Sequence, residues 1–329
     1  MRANHQVGFL LFFILTNKCC CNTVVILLLF LHNIKTIIMQ LKHVDVVDSI
    51  SPEDFKKLYY NSNKPLIIKD LAKKWPAYNK WNWDYFIDTV GESEVGVYNN
   101  IKSDSYTPIN TADAYMKFGD YLRKVKAGPL DLRIFLFNIF QHAPQIIHDF
   151  TWPDELMRGF VKKYPMLFVG GQGSVTHMHF DIDMSHILHT QFAGKKRVLL
   201  FPHQEQYKLY RKPWEVLSLA NYAGYSESFD YENFPAVKKA NGYEVILEHG
   251  DTLYMPAGFW HHMEYIESGF AMSLRAMQSD LGGKLGGLWK LFGMRGIDTF
   301  MKKNAPKWWY DRKHKKVYEL AEKEIKKGN

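Results

Sequence analysis

Cysteine is nearly absent. The 329-residue chain has three, Cys19, Cys20 and Cys21, all adjacent. The rest of the chain can therefore form no disulfide framework and no thiolate zinc site, and any metal there must take imidazole and carboxylate donors. A continuous membrane-spanning run is also missing. "GFLLFFIL" and "VVILLLFL" both precede residue 39, and each is shorter than the about 20 residues a spanning helix needs. Joining them would bury Asn17, Lys18 and Asn22 in the apolar zone. No small-x-small cleavage site follows, as a secretory signal would require, and Lys18 spoils a lipoprotein-type lead to Cys19.

Acidic residues are absent from residues 1–38, whereas "MQLKHVDVVDSISPEDF" from Met39 reads as an ordinary start. The expectation is a division into an apolar N-terminal extension (1–38), a main domain (39–280) and a basic helical tail (281–329). The extension reads as sequence upstream of the true initiator, in a cytoplasmic protein; if translated, it would serve as a membrane anchor. Internal repeats and low-complexity linkers are lacking too.

The net charge of +8 is uneven. Residues 281–329 hold 13 Lys/Arg against 5 Asp/Glu, and residues 39–280 hold 26 against 29. The body is mildly acidic, so the overall basicity gives no support to nucleic-acid binding by the whole chain. The tail, "PKWWYDRKHKKVYELAEKEIKK", has Glu/Lys pairs at helical spacing and reads first as a solvated amphipathic helix. It can also pack against a second copy to give a homodimer, or touch RNA, although a charged tail without a reading motif says little.

Aromatic residues are abundant: 19 Tyr, 22 Phe and 9 Trp. They suit a β-rich core, because flat rings pack well on pleated surfaces. Ser51-Pro52-Glu53-Asp54 has the cap, proline and acids of a helix start. "KPLIIKD", "VGVYNN" and "LRIFLFNIF" read as strands, and Trp81 to Val90 and Thr111 to Lys126 as helices. From Pro165 short strands follow one another with Gly-rich turns between them, the pattern of a sandwich or barrel. "LGGKLGGLWKLFGMRG" and the Lys-rich end return to helix. The predicted class is α+β with a mainly β core.

The stretch "THMHFDID" puts His177, His179, Asp181 and Asp183 on alternate positions. On one strand these four project together. A wet edge strand would explain them, yet a buried carboxylate needs a cation, and "GDTLYMPAGFWHH" brings His261 and His262 at the end of another strand. Two imidazoles and one carboxylate leave one face of a metal open, the arrangement of Fe(II) oxygenases. Read this way, His179 and Asp181 join one of His261 or His262.

The order Thr176-x-x-His179-x-Asp181, then "QFAGKKRVLLFP", "FDYENFP" and "GDTLYMPAGFWHH", resembles the JmjC/cupin-like hydroxylases of the cupin superfamily. Within them the likeness is nearest to the asparaginyl hydroxylase of hypoxia-inducible factor, and it runs over most of Lys64 to Met277. The resemblance implies a double-stranded β-helix (a jelly roll or cupin barrel) with N-terminal helices and strands and a C-terminal helical tail. It further implies an Fe(II)- and 2-oxoglutarate-dependent dioxygenase, a hydroxylase acting on a protein side chain or another macromolecule. Its iron ligands would be His179, Asp181 and His261, the last as the first His after Trp260. Lys196 would pair with the distal carboxylate of 2-oxoglutarate and Thr176 would hydrogen-bond it.

The chain departs from that pattern in places. Phe135 and Phe137 stand where a Tyr and a Gln are expected, and Arg275 where an Asn is. Arg275 is assigned to the co-substrate, since a guanidinium binds carboxylates bidentately. The loop after Asp181 is two residues longer, leaving Ser185, His186 and His189 without counterparts. A rival spacing, that of ordinary cupins, would use His177 in place of Asp181 and need no 2-oxoglutarate; a non-catalytic binding barrel is the third reading. His262 is expected behind the site or at the surface, His203 in a loop, and Phe259, Trp260 and Tyr265 in barrel packing.

Overall fold

Ser51 accepts a hydrogen bond from the Asp54 amide through Oγ at 3.1 Å, and Pro52 opens the helix that follows. The computed structural model describes residues 39, 41–101, 111–278 and 289–327. The readings for residues 1–38 and for 279–288 lie outside these. Fourteen strands are present among the described residues: β1 (Leu41–His43), β2 (Asp45–Val47), β3 (Leu66–Ile68), β4 (Glu94–Val97), β5 (Ala114–Lys117), β6 (Arg133–Phe137), β7 (Met166–Gly170), β8 (Val175–His179), β9 (His186–Ala193), β10 (Lys196–Phe201), β11 (Gly242–Leu247), β12 (Thr252–Met255), β13 (Trp260–Tyr265) and β14 (Gly269–Ala276). The helices used below are α1 (Pro52–Phe55), α2 (Trp83–Val90), α3 (Phe118–Ala127), α4 (Arg295–Asn304) and α5 (Pro306–Lys327).

Two sheets face each other as a jelly roll. One has the order β1-β11-β10-β13-β8, the other β2-β3-β12-β9-β14-β7-β6, and β4 and β5 form a separate pair. Side-chain alternation sends one face of each sheet inward. Val198, Leu200 and Met263 from the first sheet meet Ile187, Leu253 and Met255 from the second in one apolar interior. The outer face of the second sheet is covered by α1, α2 and α3, with Phe55, Phe86 and Tyr121 packed on Val169, Phe270 and Met272. On the outer side of the first sheet, Val317 and Ala321 of α5 join Met178, Phe180, Leu199 and Trp260.

Gly194 closes the β9–β10 turn at φ 68°, where an added Cβ would meet the Ser268 carbonyl oxygen at 2.2 Å. This turn fixes the distance from the inner face of β9 to the first residue of β10, Lys196.

Three expectations need correction. Residues 114–117 form a strand, and the helix begins only at Phe118. Val95 and Met116 are register partners, so pairing with β4 takes up the backbone groups that helical spacing would have used. The strand carrying "THMHFDID" stops at His179; Asp181 and Asp183 lie in the turn after it, where the Met184 amide donates to the Asp181 carbonyl at 3.1 Å. His262 faces away from His261 on β13, as expected, but it is wholly buried, so only its place behind the site holds and the surface alternative falls. Among the described residues no helix is long and apolar enough to cross a membrane.

Candidate metal and co-substrate site

Alternation alone separates Thr176 from His179, because an odd offset places two residues on opposite faces of a strand. The β8–β13 ladder removes that difficulty. His179 is paired with His261 and Thr176 with Met263, so two residues of β8 lie opposite His262 alone. This bulge returns Thr176 to the inner face beside His179. On the other side of β13, Leu200, Val198 and Lys196 are register partners of His261, Met263 and Tyr265, so all six share the inner face.

His179 and His261 are thus a cross-strand pair, with ring centroids 4.2 Å apart. Each Nδ1 lies on the carbonyl two residues earlier, His177 O at 2.8 Å and Phe259 O at 3.2 Å. That contact assigns the proton to Nδ1 and leaves each Nε2 as a bare donor, as a metal-ligating histidine requires. Asp181 reaches in from the turn, with Oδ2 3.9 Å from His261 Nε2. One donor atom from each of His179, Asp181 and His261 lies within 4.8 Å of the others. His177 takes another direction, with Nε2 3.0 Å from the Asn100 carbonyl.

Burial favours the neutral imidazole in both histidines: His179 is pushed down to about 3, and His261 is also lowered. Burial alone would raise the Asp181 carboxyl, but the Arg275 guanidinium beside it brings it below the ordinary range. Arg275 donates Nη2 to Asp181 Oδ1 at 2.9 Å and places Nη1 3.3 Å from Asp183 Oδ2. Asp183 also accepts from Ser185 Oγ at 2.9 Å. The cluster therefore has two neutral nitrogens and one ionised carboxylate, the protonation state a divalent cation needs.

Farther along the inner face stands Lys196, which has no exposed surface. Its Nζ is 3.0 Å from His189 Nε2 and 4.4 Å from the Tyr265 ring centroid. His189 Nδ1 lies 2.7 Å from Ser273 Oγ. Since the ammonium can only donate, His189 accepts at Nε2 and donates to the serine. Among the described residues no carboxylate forms an ion pair with Lys196. Burial consequently pulls its ammonium down to about 7. The donors thus form two groups along one interior: a metal-type cluster, and an unneutralised lysine with Thr176 on its face.

Residues 52–284 match the family described as the cupin-like domain. The chain belongs to this family. It is 28% identical over 243 residues to the Jumonji C domain-containing protein 5 of Drosophila melanogaster, covering 69% of this chain and 58% of that protein. It is also 28% identical over 239 residues to the lysine-specific demethylase JMJ30 of Arabidopsis thaliana (70% and 54%). A third relative, 25% identical over 249 residues, is the human tRNA wybutosine-synthesizing protein 5 (69% and 76%). The chain spans little more than half the length of the first two.

Within this cupin-like barrel the two departures on β6 fall on different faces. Phe135 packs at a tilt against Tyr98, with centroids 4.3 Å apart. Phe137 is buried in the outer cluster against Phe118, away from the interior. His203 is tied by Nδ1 to the Gly258 carbonyl at 3.0 Å, with Phe180 against its ring. His186 stacks on Tyr60 and binds the Tyr254 hydroxyl at 2.9 Å. Trp260 packs outward on Phe180, whereas Tyr265 underlies Lys196. Neither His189 nor Ser273 belongs to a motif that gives it a role from sequence. The available signal was alternation along β9, which sets His189 opposite Leu253 and Ser273 on the inner face.

Proposed function

We propose that the chain is an Fe(II)- and 2-oxoglutarate-dependent dioxygenase that hydroxylates a protein side chain or another macromolecular substrate. His179, Asp181 and His261 hold the metal on one face, and Thr176, Lys196 and Arg275 serve the co-substrate. The observation that carries this reading is Lys196: a buried cation with no protein carboxylate, on the same inner face as a His-Asp-His cluster. An organic diacid supplies the missing negative charge, and a charge-assisted hydrogen bond from Lys196 fixes its distal end. An ordinary cupin metal centre has no use for such a lysine.

When bound, the iron would let O2 act as the oxidant of an unactivated C–H bond, with 2-oxoglutarate as the co-reductant that gives up the other two electrons. The protein's part is to bind, orient and exclude water. Arg275 holds one oxygen of Asp181 in place, which leaves the other for the metal, and has further donors for a carboxylate. The apolar interior of Val198, Met263 and Leu253 keeps the site dry. Relatives named as lysine-specific demethylases support a protein substrate. Self-association through the C-terminal helices belongs to the same reading, with exposed Trp289, Phe292 and Phe300 as its contacts and sedimentation as its check.

The deciding experiment is anaerobic titration with Fe(II) and 2-oxoglutarate, followed in the visible range. A weak charge-transfer band should appear only with both components, and it should vanish in Asp181→Ala and in Lys196→Ala. A metal complex that forms equally well in Lys196→Ala and never responds to 2-oxoglutarate would return the chain to the ordinary cupins.

A further inference from the structure

Outside the barrel, between α5 and the loop after β10, lies a concavity of about 560 Å³. Its lining combines aromatic and basic side chains: Tyr207, Trp214, Trp309, Arg211, Arg312 and Lys315 among them. The size suits a small ligand. Its lining has an excess of positive charge, with a single carboxylate, Glu319, paired to Lys316. Behind the floor, Lys212 and Lys302 join the lining Lys313 on only two carboxylates, Glu215 and Asp298. Arg211 adds a fourth cation, whose polar contacts are the Glu215 carbonyl, the Gln206 side chain and the Met294 sulfur. Burial pulls both Arg211 and Lys212 below their ordinary values. At the mouth, Arg312 and Lys315 are exposed, and neither has a carboxylate partner among the described residues. Cations held partly out of water without matching anions favour an incoming anion.

The aromatic side chains narrow the chemistry. Trp214 is 37% exposed, and its ring lies 6.2 Å from that of Trp309. Trp214 sits at φ 65° and the nearby Tyr210 at φ 57°, a left-handed backbone that bulky residues rarely adopt. An acidic peptide would need the cations but not a tryptophan presented this way. We propose that this pocket binds a nucleotide unit, with its phosphate on Arg312, Lys315 and the cationic floor and its base against Trp214. The unit can be a free nucleotide or one residue of a single-stranded RNA.

The pocket is joined to the metal cluster through the chain. Arg211 lies 5.1 Å over the ring of Phe180, the residue between His179 and Asp181. The Phe180 amide donates to the Val216 carbonyl at 3.2 Å, in the same loop as Trp214. The proposal is independent of the oxygenase reading, because it can be tested without metal or 2-oxoglutarate.

The test uses the full chain and a fluorescein-labelled RNA decamer, followed by anisotropy, with adenosine monophosphate and a glutamate decapeptide as competitors. Specific binding is expected to weaken roughly twentyfold between 50 and 200 mM salt, the response to neutralising about three phosphates of a single strand. Arg312→Glu with Lys315→Glu, both exposed changes, should weaken it about tenfold and flatten the salt slope. Trp214→Gly, which relieves the backbone and removes the ring, should weaken it by a similar factor. Lys124→Glu, an exposed change on α3, should leave it unchanged. Competition by the mononucleotide at the decamer's own affinity identifies a free nucleotide as the ligand, and much weaker competition identifies the strand. No binding of either, binding untouched by the Trp214 and Arg312/Lys315 changes, or equal competition by the peptide would overturn the assignment.

Discussion

Replacing Lys196 by Met should stabilise the protein and abolish its response to 2-oxoglutarate. Lys196 is wholly buried, and burial takes its ammonium from 10.5 to about 7. At about 1.4 kcal/mol per pH unit, the charged form carries a penalty of roughly 5 kcal/mol in the folded state. A base with a depressed folded pKa binds its proton more readily in the unfolded chain. The penalty is therefore full below pH 7 and fades as the pH rises toward 10.5. Methionine fills a similar volume without charge, but it forfeits the hydrogen bond to His189 and the contact with the Tyr265 ring, together about 1–2 kcal/mol. A net gain of about 2–3 kcal/mol near pH 7 remains, and it should shrink by pH 10. Equilibrium urea denaturation at the two pH values measures this directly. Saturating 2-oxoglutarate, at a hundredfold excess over its Kd, should add about 2.7 kcal/mol to the parent protein and nothing to the variant. A variant less stable than the parent at pH 7, or one still stabilised by 2-oxoglutarate, would refute the reasoning.

Asp181→Ala should abolish Co(II) binding and also destabilise the apoprotein by about 3 kcal/mol, because it leaves the buried Arg275 with Asp183 alone. Adding Arg275→Met should recover much of the stability but not the metal; recovery of both would mean that Asp181 is not a ligand. His262→Ala should cost about 2–3 kcal/mol in a denaturation midpoint while Co(II) affinity stays within twofold, since His262 is buried on the side away from His261. Metal affinity should change less than threefold between pH 8 and pH 6, because protons do not compete for His179, held to about 3, and burial weakens their competition for His261. Two histidines titrating at the ordinary 6.5 would instead lose about fifteenfold over that range, a difference that calorimetric titration resolves.

The ingredients of the candidate site are legible from residue types and spacing. With no cysteine after Cys21, histidine and carboxylate are the remaining donors, and "THMHFDID" and "GDTLYMPAGFWHH" are the segments that concentrate them. Short strands with glycine turns point to the barrel for the same local reason, since period-two patterning and turn chemistry are properties of adjacent residues. The helix misread over residues 111–117 shows the limit of that reasoning, because long-range pairing with β4 overrides local spacing.

Pairing between distant strands decided the rest. Thr176 shares a face with His179 only because β8 bulges against β13. Asp181 enters the cluster from a turn, with Arg275 of β14 holding it from 94 residues away. His189 meets Lys196 because a tight turn carries the chain from β9 in one sheet to β10 in the other, so the two side chains meet across the interior, and Ser273 completes the chain from β14. Sequence fixes which donors exist and how often they alternate, since those depend on covalent order. Which of them face one another depends on register, bulges and sheet closure, and these follow from burying apolar surface over the whole chain.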